Sequence, residues 1–345
     1  MSGKANRRRF LKGAIAAAAG SAVGLSLEER ALLAGKAGRS ARGTGGDEAG
    51  ANDAVKARAK AAAESSDKDD ARAGAGPFPT GKLGNRTVSR IICGGNLISG
   101  FAHSRDLTYV SPLLKNYFTD EKVFETLHLC EQHGINTALL RCDEHVLGLL
   151  DTYWNKRGGK IQWIAQVYPA ETGDQTNIQL AVDGGAMACY IQGGFGDRWV
   201  KQGKVDLLER AVAFTRDRHV LAGIGGHRVD VPIAVEEAGI APDFYMKTLH
   251  RTDYWSYTKE RAKDNSWCES PEATIRFMRE VARPWIAFKV LAAGAVRPLA
   301  GLRYAFENGA DFVCLGMFDF QVAVDAKTAR TVLAGTLKRR RPWRA

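Results

Sequence analysis

Lys247 and Lys289 stand inside apolar runs, Phe244-Tyr245-Met246-Lys247-Thr248-Leu249 and Ile286-Ala287-Phe288-Lys289-Val290-Leu291. An ammonium group is costly to bury unless it is paired, and burial lowers its pKa toward a neutral, nucleophilic amine. Such an amine adds to carbonyls or takes up a proton. Lys247 is therefore read as the nucleophile or base, with His250 as its proton shuttle, and Glu144 is a further catalytic candidate. The competing expectation is a pair of lysines satisfied by Asp143, Glu144 or a substrate carboxylate. Around them Asn96, His103, Arg141, Asp143, Gln166, Gln192, His227, Trp255 and Lys289 form a polar set suited to holding substrate oxygens. His227 and His250 are also of ligand type for a divalent metal, although no recognised spacing joins them to His145, Cys142 or Asp143. Gly225, Gly226, Gly294 and Gly316 sit in turns whose free backbone N–H groups suit a phosphate or cofactor, and close packing explains such glycines equally well.

These residues fall at the ends of short apolar runs that alternate with helix-period segments, the pattern of βαβ units and a parallel sheet. Eight strands are predicted: Ser89 to Cys93, Asn136 to Arg141, Ile161 to Val167, Met187 to Gln192, His219 to Ile224, Asp243 to Leu249, Trp285 to Leu291 and Phe312 to Leu315. Helices are predicted between them, several stopped by a glycine as in His133-Gly134-Ile135. Eight such units make an α/β protein, a single-domain (β/α)8 TIM barrel, with a doubly wound open sheet as the alternative. Barrel sites lie at the C-terminal strand ends. Two loops there are long, Gly94 to Thr119 and His250 to Ser270, and rich in side chains that bind.

The chain has 345 residues, a net charge of +11 and six cysteines. Lys4, Arg7, Arg8, Arg9 and Lys12 at one end, and Lys338 to Arg341 with Arg344 at the other, leave a body close to neutral. That distribution argues against nucleic-acid binding. Asn6-Arg7-Arg8-Arg9-Phe10-Leu11-Lys12 before an Ala/Gly-rich apolar run resembles a bacterial twin-arginine export signal. Residues 1–35 are expected to be that leader, 36–76 a disordered linker, and 77–345 the barrel. The resemblance implies the twin-arginine machinery as a partner, a periplasmic or extracellular address, and no membrane span in the mature form. A retained N-terminal anchor is the alternative. With no Cys-x-x-Cys, the cysteines are expected to be free and to behave as small hydrophobes.

At both ends the predicted barrel resembles the aldo-keto reductases. Gly81-Lys82-Leu83-Gly84-Asn85-Arg86-Thr87-Val88-Ser89-Arg90-Ile91 is similar to their opening hairpin, and His133-Gly134-Ile135-Asn136 to the approach to their second strand. Gly223-Ile224-Gly225-Gly226 and Ala305-Phe306-Glu307-Asn308-Gly309-Ala310-Asp311 with Leu315-Gly316-Met317 continue the likeness. The family's Tyr, Asp, Lys and His are not retained: their positions fall on Glu144, Leu139, Gln166 and Gln192. Gly316 to Ala326 has no Lys or Arg for an adenosine 2′-phosphate, and Asp319 would repel one, which disfavours NADP. The cofactor is otherwise open between a divalent metal and a nicotinamide. The expected function is non-redox lyase or isomerase chemistry on a small polar substrate, a sugar or keto-acid. An atypical NAD(P)-dependent oxidoreductase, with Glu144 or Tyr168 as acid, and a non-catalytic carbohydrate or solute binder are the alternatives.

Overall fold

The computed structural model describes residues 77–258 and 267–345. The expected leader and linker, residues 1–76, lie outside the described residues, as do 259–266 of the second long loop. The described chain opens with an antiparallel hairpin, β1 (Thr80–Leu83) and β2 (Arg86–Ser89), turning at Gly84, whose φ of 57° suits a residue without Cβ. Eight parallel strands follow: β3 (Ile91–Gly94), β4 (Thr137–Arg141), β5 (Gln162–Val167), β6 (Ala188–Ile191), β7 (Leu221–Gly226), β8 (Phe244–Thr248), β9 (Trp285–Phe288) and β10 (Phe312–Leu315). They close in the order β10-β3-β4-β5-β6-β7-β8-β9. The open-sheet alternative is thereby excluded, and the fold is a (β/α)8 barrel.

Ten helices lie among the described residues: α1 (Val110–Tyr117), α2 (Asp120–Gln132), α3 (Glu144–Asn155), α4 (Thr176–Asp183), α5 (Gly193–Lys201), α6 (Val205–Arg216), α7 (Asp230–Glu237), α8 (Pro271–Glu280), α9 (Pro298–Glu307) and α10 (Asp319–Ala334). Side-chain alternation divides each strand between two cores. Ile92, Leu139, Ile164, Tyr190, Phe244, Met246, Ile286 and Phe312 fill the lumen, closed below by Leu83 and Val88 of the hairpin. Ile91, Leu140, Trp163, Ile191, Tyr245, Trp285 and Val313 face outward under the helices. The lumen is packed, so only its upper rim is open to chemistry.

Two elements differ from expectation in ways that shape the site. The seventh barrel strand stops at Phe288 rather than Leu291, because Lys289 takes φ 58° and leaves the ladder. Gly193 to Lys201, a glycine-rich run in no predicted element, is helix α5, whose first N–H groups bond the Gln192 side chain. A Cβ on Gly196 would lie 2.1 Å from the Gly225 carbonyl oxygen, so glycine there lets α5 press directly on β7.

Of the C-terminal arginines, Arg339 and Arg341 pack against the barrel while Arg340 and Arg344 are exposed. Arg341 is 1% exposed and meets Asp311 at 2.5 Å, and Arg90 and Arg339 stack on either side of Trp343 at 3.9 and 3.4 Å. All six cysteines are buried and unpaired, as expected of small hydrophobes. No helix among the described residues is long and apolar enough to cross a membrane.

Candidate active site

The ends of β7, β8 and β9 place the groups best suited to chemistry side by side. His227 follows β7 immediately, and its Nδ1 lies 2.7 Å from Asp197 Oδ2 of α5. Asp197 also accepts the backbone N–H groups of His227 and Arg228, at 3.0 and 2.9 Å. Burial alone would raise the Asp197 carboxyl, but the His227 hydrogen bond and charge and these N–H donors hold it below its ordinary value. For His227 burial outweighs the carboxylate, and its pKa is lowered. The result is a neutral imidazole with its proton on Nδ1. Nε2 is left as an acceptor that no hydrogen bond occupies among the described residues. A Cβ on Gly193 would come within 3.1 Å of the imidazole Cε1, so glycine at the start of α5 makes room for the ring.

Trp267 packs over this imidazole at 4.7 Å between ring centroids, with Phe288 at 5.3 Å on β9. The Lys289 ammonium lies 5.0 Å from the Trp267 ring centre and has no hydrogen bond or ion pair among the described residues. Cation–π attraction is its compensation, a weaker one than a carboxylate. Burial pushes this amine down to about 8. Its left-handed φ of 58° costs about 1–3 kcal/mol for a residue with a Cβ. Beside it on the lumen side of β8, the Thr248 hydroxyl is fully buried with no partner.

Lys247 is placed differently from its expected role. It shares the parity of Tyr245, not of Phe244 and Met246, so it leaves β8 on the helix side. Its Nζ donates to the carbonyls of His227 at 2.7 Å and Thr248 at 2.8 Å, which leaves the expected nucleophile held as a structural cross-tie. His250 is equally engaged: Nδ1 donates to the Arg251 carbonyl at 2.8 Å and Nε2 accepts the Cys268 N–H at 3.0 Å. With both ring nitrogens taken, it has neither a proton to shuttle nor a lone pair for a metal. His227 retains one lone pair, and no group of three His, Cys, Asp or Glu side chains among the described residues is placed to share an ion with it.

The opposite rim carries a hydrogen-bonded chain. Tyr190 OH donates to Gln166 Oε1 at 2.5 Å, and Gln166 Nε2 donates to the Tyr168 hydroxyl. Burial raises the Tyr168 pKa, so it remains a phenol whose own hydrogen is free to donate. Arg141 packs its guanidinium 5.0 Å from the Tyr168 ring and 4.1 Å from Phe101, and meets Asp143 at 3.0 Å. Asp143 in turn accepts the Val146 N–H as the N-cap of α3. Glu144, in the first turn of α3, is exposed and bonded to neither Lys247 nor His250. Gln192 caps α5. Asn96 and His103 are exposed on the first long loop, with His103 6.0 Å from Trp267, and Trp255 is 84% exposed.

No protein-family model and no curated protein matches the chain. Among solved structures, a putative aldo-keto reductase from Pseudomonas aeruginosa superposes with a TM-score of 0.54 at 14% identity, over 75% of this chain and 96% of that one. A second structure described in the same way, from the same organism, gives 0.52 at 15%, over 74% and 95%. A truncated 3-deoxy-D-arabino-heptulosonate 7-phosphate synthase from Thermotoga maritima gives only 0.44 at 13%, over 75% and 90%. The fold is that of a divergent aldo-keto reductase-like barrel.

The four positions to which the sequence resemblance assigns the family's catalytic residues stand outside the Asp197–His227 pair. Leu139 is lumen core, Gln166 belongs to the tyrosine chain, Gln192 is a cap and Glu144 lies on the surface. The glycine turns do not form a dinucleotide cradle either. A Cβ would strike the Ile191 carbonyl at Gly225, Val231 at Gly226 and Leu97 at Gly316, so those glycines serve packing. Gly294 alone is open, in a left-handed turn with Ala292 and Ala293. Asp319, after β10, is bound to Lys122 and Tyr117. These residues do not fit the 2′-phosphorylated nicotinamide of the family.

Proposed function

We propose that the protein is an enzyme that moves protons on a small polar substrate, a sugar or keto-acid, by non-redox isomerase- or lyase-type chemistry. The supporting observation is the Asp197–His227 pair, with an imidazole kept neutral and Nε2 free beside Lys289. Asp197 fixes the tautomer, so Nε2 takes the substrate proton and the carboxylate stabilises the imidazolium that forms. Lys289 and the Thr248 hydroxyl supply positive charge and a donor for the oxygen on which negative charge develops. Trp267 and Phe288 exclude water from that exchange.

The test is uptake of solvent deuterium at carbon in a panel of hydroxy acids, keto acids and sugars. Exchange that is lost in His227→Asn supports the reading, and exchange indifferent to His227 sinks it. A second reading keeps redox chemistry, with Tyr168 as the acid, because the Tyr190–Gln166–Tyr168 chain leaves its hydroxyl hydrogen available. Nicotinamide absorbance co-purifying with the protein would favour that reading. A solute binder would hold ligand with no exchange at all. The twin-arginine-like leader makes export part of the proposal, to be checked by cell fractionation against a Arg7→Lys, Arg8→Lys chain.

A further inference from the structure

We infer that Lys289 is a covalent catalyst, its amine condensing with the carbonyl carbon of an aldehyde or ketone substrate to form an imine. The inference rests on the proton-transfer reading above and names the substrate class for that same site. Two lysines meet at neighbouring strand ends, buried Lys247 within β8 and half-buried Lys289 just after β9, and the structure gives them opposite fates. Lys247 donates to two carbonyls and has no free direction of approach. Lys289 donates to nothing among the described residues, rests against the Trp267 face, and is held out of the β9 ladder by a left-handed φ. Lys289 occupies a left-handed position where a glycine would relieve the backbone, and it is the one ionisable side chain among the left-handed residues of the 289–293 turn.

The surroundings fit the step. An amine adds to a carbonyl only as the free base, and burial holds Lys289 at about 8, so a useful fraction is unprotonated near neutrality. In the addition the Nζ lone pair forms the C–N bond and the carbonyl π pair becomes the carbinolamine oxygen. That oxygen takes up the proton lost from nitrogen. The nitrogen lone pair then forms the C=N bond as the carbinolamine C–O bond breaks, and the departing hydroxide takes a proton from solvent to leave as water, giving the protonated imine. The neutral His227 Nε2 is placed to abstract the proton from the adjacent carbon, because the iminium draws off the electron pair. No oxidant, reductant or metal enters the balance.

The full-length protein is incubated separately with pyruvate and with dihydroxyacetone, reduced with sodium borohydride and mapped by peptide mass spectrometry. Deuterium uptake by each probe is followed in parallel. The expected result is a stable secondary-amine adduct confined to Lys289, rising with pH to a midpoint near about 8. The adduct is expected to be absent in Lys289→Met and retained in Lys247→Met. An adduct at Lys247, adducts scattered over surface lysines, or none with either probe overturns the inference. Deuterium uptake that depends on His227 without an adduct leaves the proton-transfer reading standing and removes the imine. An adduct without uptake does the reverse.

Discussion

The two ends of the barrel handle buried charge in opposite ways. At the lower end Asp311 is fully buried but saturated: it accepts from Arg341 at 2.5 Å and from the N–H groups of Trp285 and Arg344 at 2.9 and 2.8 Å. Arg341 also donates to the carbonyls of Val281 and Arg283, and Arg90 ties the Asp311 carbonyl to Ala345. At the upper end Lys289, His227 Nε2 and the Thr248 hydroxyl are left with unused valence. A network whose charges are paired, with Arg341 Nε as the donor left over, holds one conformation, whereas unpaired polar groups at a rim cost stability and are available to a ligand. The contrast separates the end that fixes the fold from the end proposed to react.

The largest expected effect is at the upper end. His227→Asn should lower deuterium exchange by about 10²–10⁴-fold, the range of a general base, at a cost of about 1–3 kcal/mol in stability for the lost Asp197 bond. Asp197→Asn should also cost exchange, together with about 1–3 kcal/mol for the lost charge-assisted bonds, measured by urea denaturation. At the lower end the order reverses. Arg341→Leu should cost about 3–5 kcal/mol by leaving Asp311 charged and buried without its partner, yet preserve exchange at temperatures where the protein remains folded. A loss of exchange with the fold intact would break the separation of the two ends.

The sign of the Lys289 effect is a sharper test. Its folded pKa of about 8 lies below the unfolded value, so the unfolded chain binds more protons between about pH 8 and 10. Stability should therefore rise across that window, and Lys289→Met should abolish the rise and stabilise the protein by about 1–3 kcal/mol at neutral pH. The smallest effect on chemistry is expected of Lys247→Met. It should leave exchange intact and cost about 1–3 kcal/mol, because two buried carbonyls lose their donor. Loss of exchange in this variant would return the nucleophile to Lys247.

Much of the fold was legible in the sequence, because helix and strand periods and glycine stops are local properties of the chain. Phe312–Leu315 forms over its predicted residues, and helices fall between the strands as predicted. The misses have physical causes. Helix α5 hides behind three glycines, which are poor helix formers tolerated here because α5 presses on β7 and is capped by Gln192. Asp197 was missed with it. Trp267 carries no local signal either, since nothing in the sequence around it says which ring will cover His227.

The sequence by itself determined that this chain builds a parallel α/β fold with polar residues gathered at its strand ends, while closure into a barrel rather than an open sheet was decided by the tertiary structure. The sequence also marked Lys247 and Lys289 as anomalous. Which of them faces chemistry was decided only by the tertiary structure. A parallel strand buried on both faces carries no polar side to mark the lumen, so Lys247 in Phe244–Thr248 reads the same whichever way it points. Closure of the barrel sends it outward onto two carbonyls, and the left-handed turn after Phe288 frees its neighbour. His250 and His227 differ for the same reason: a ring nitrogen is available or taken according to a backbone group that only folding brings within reach.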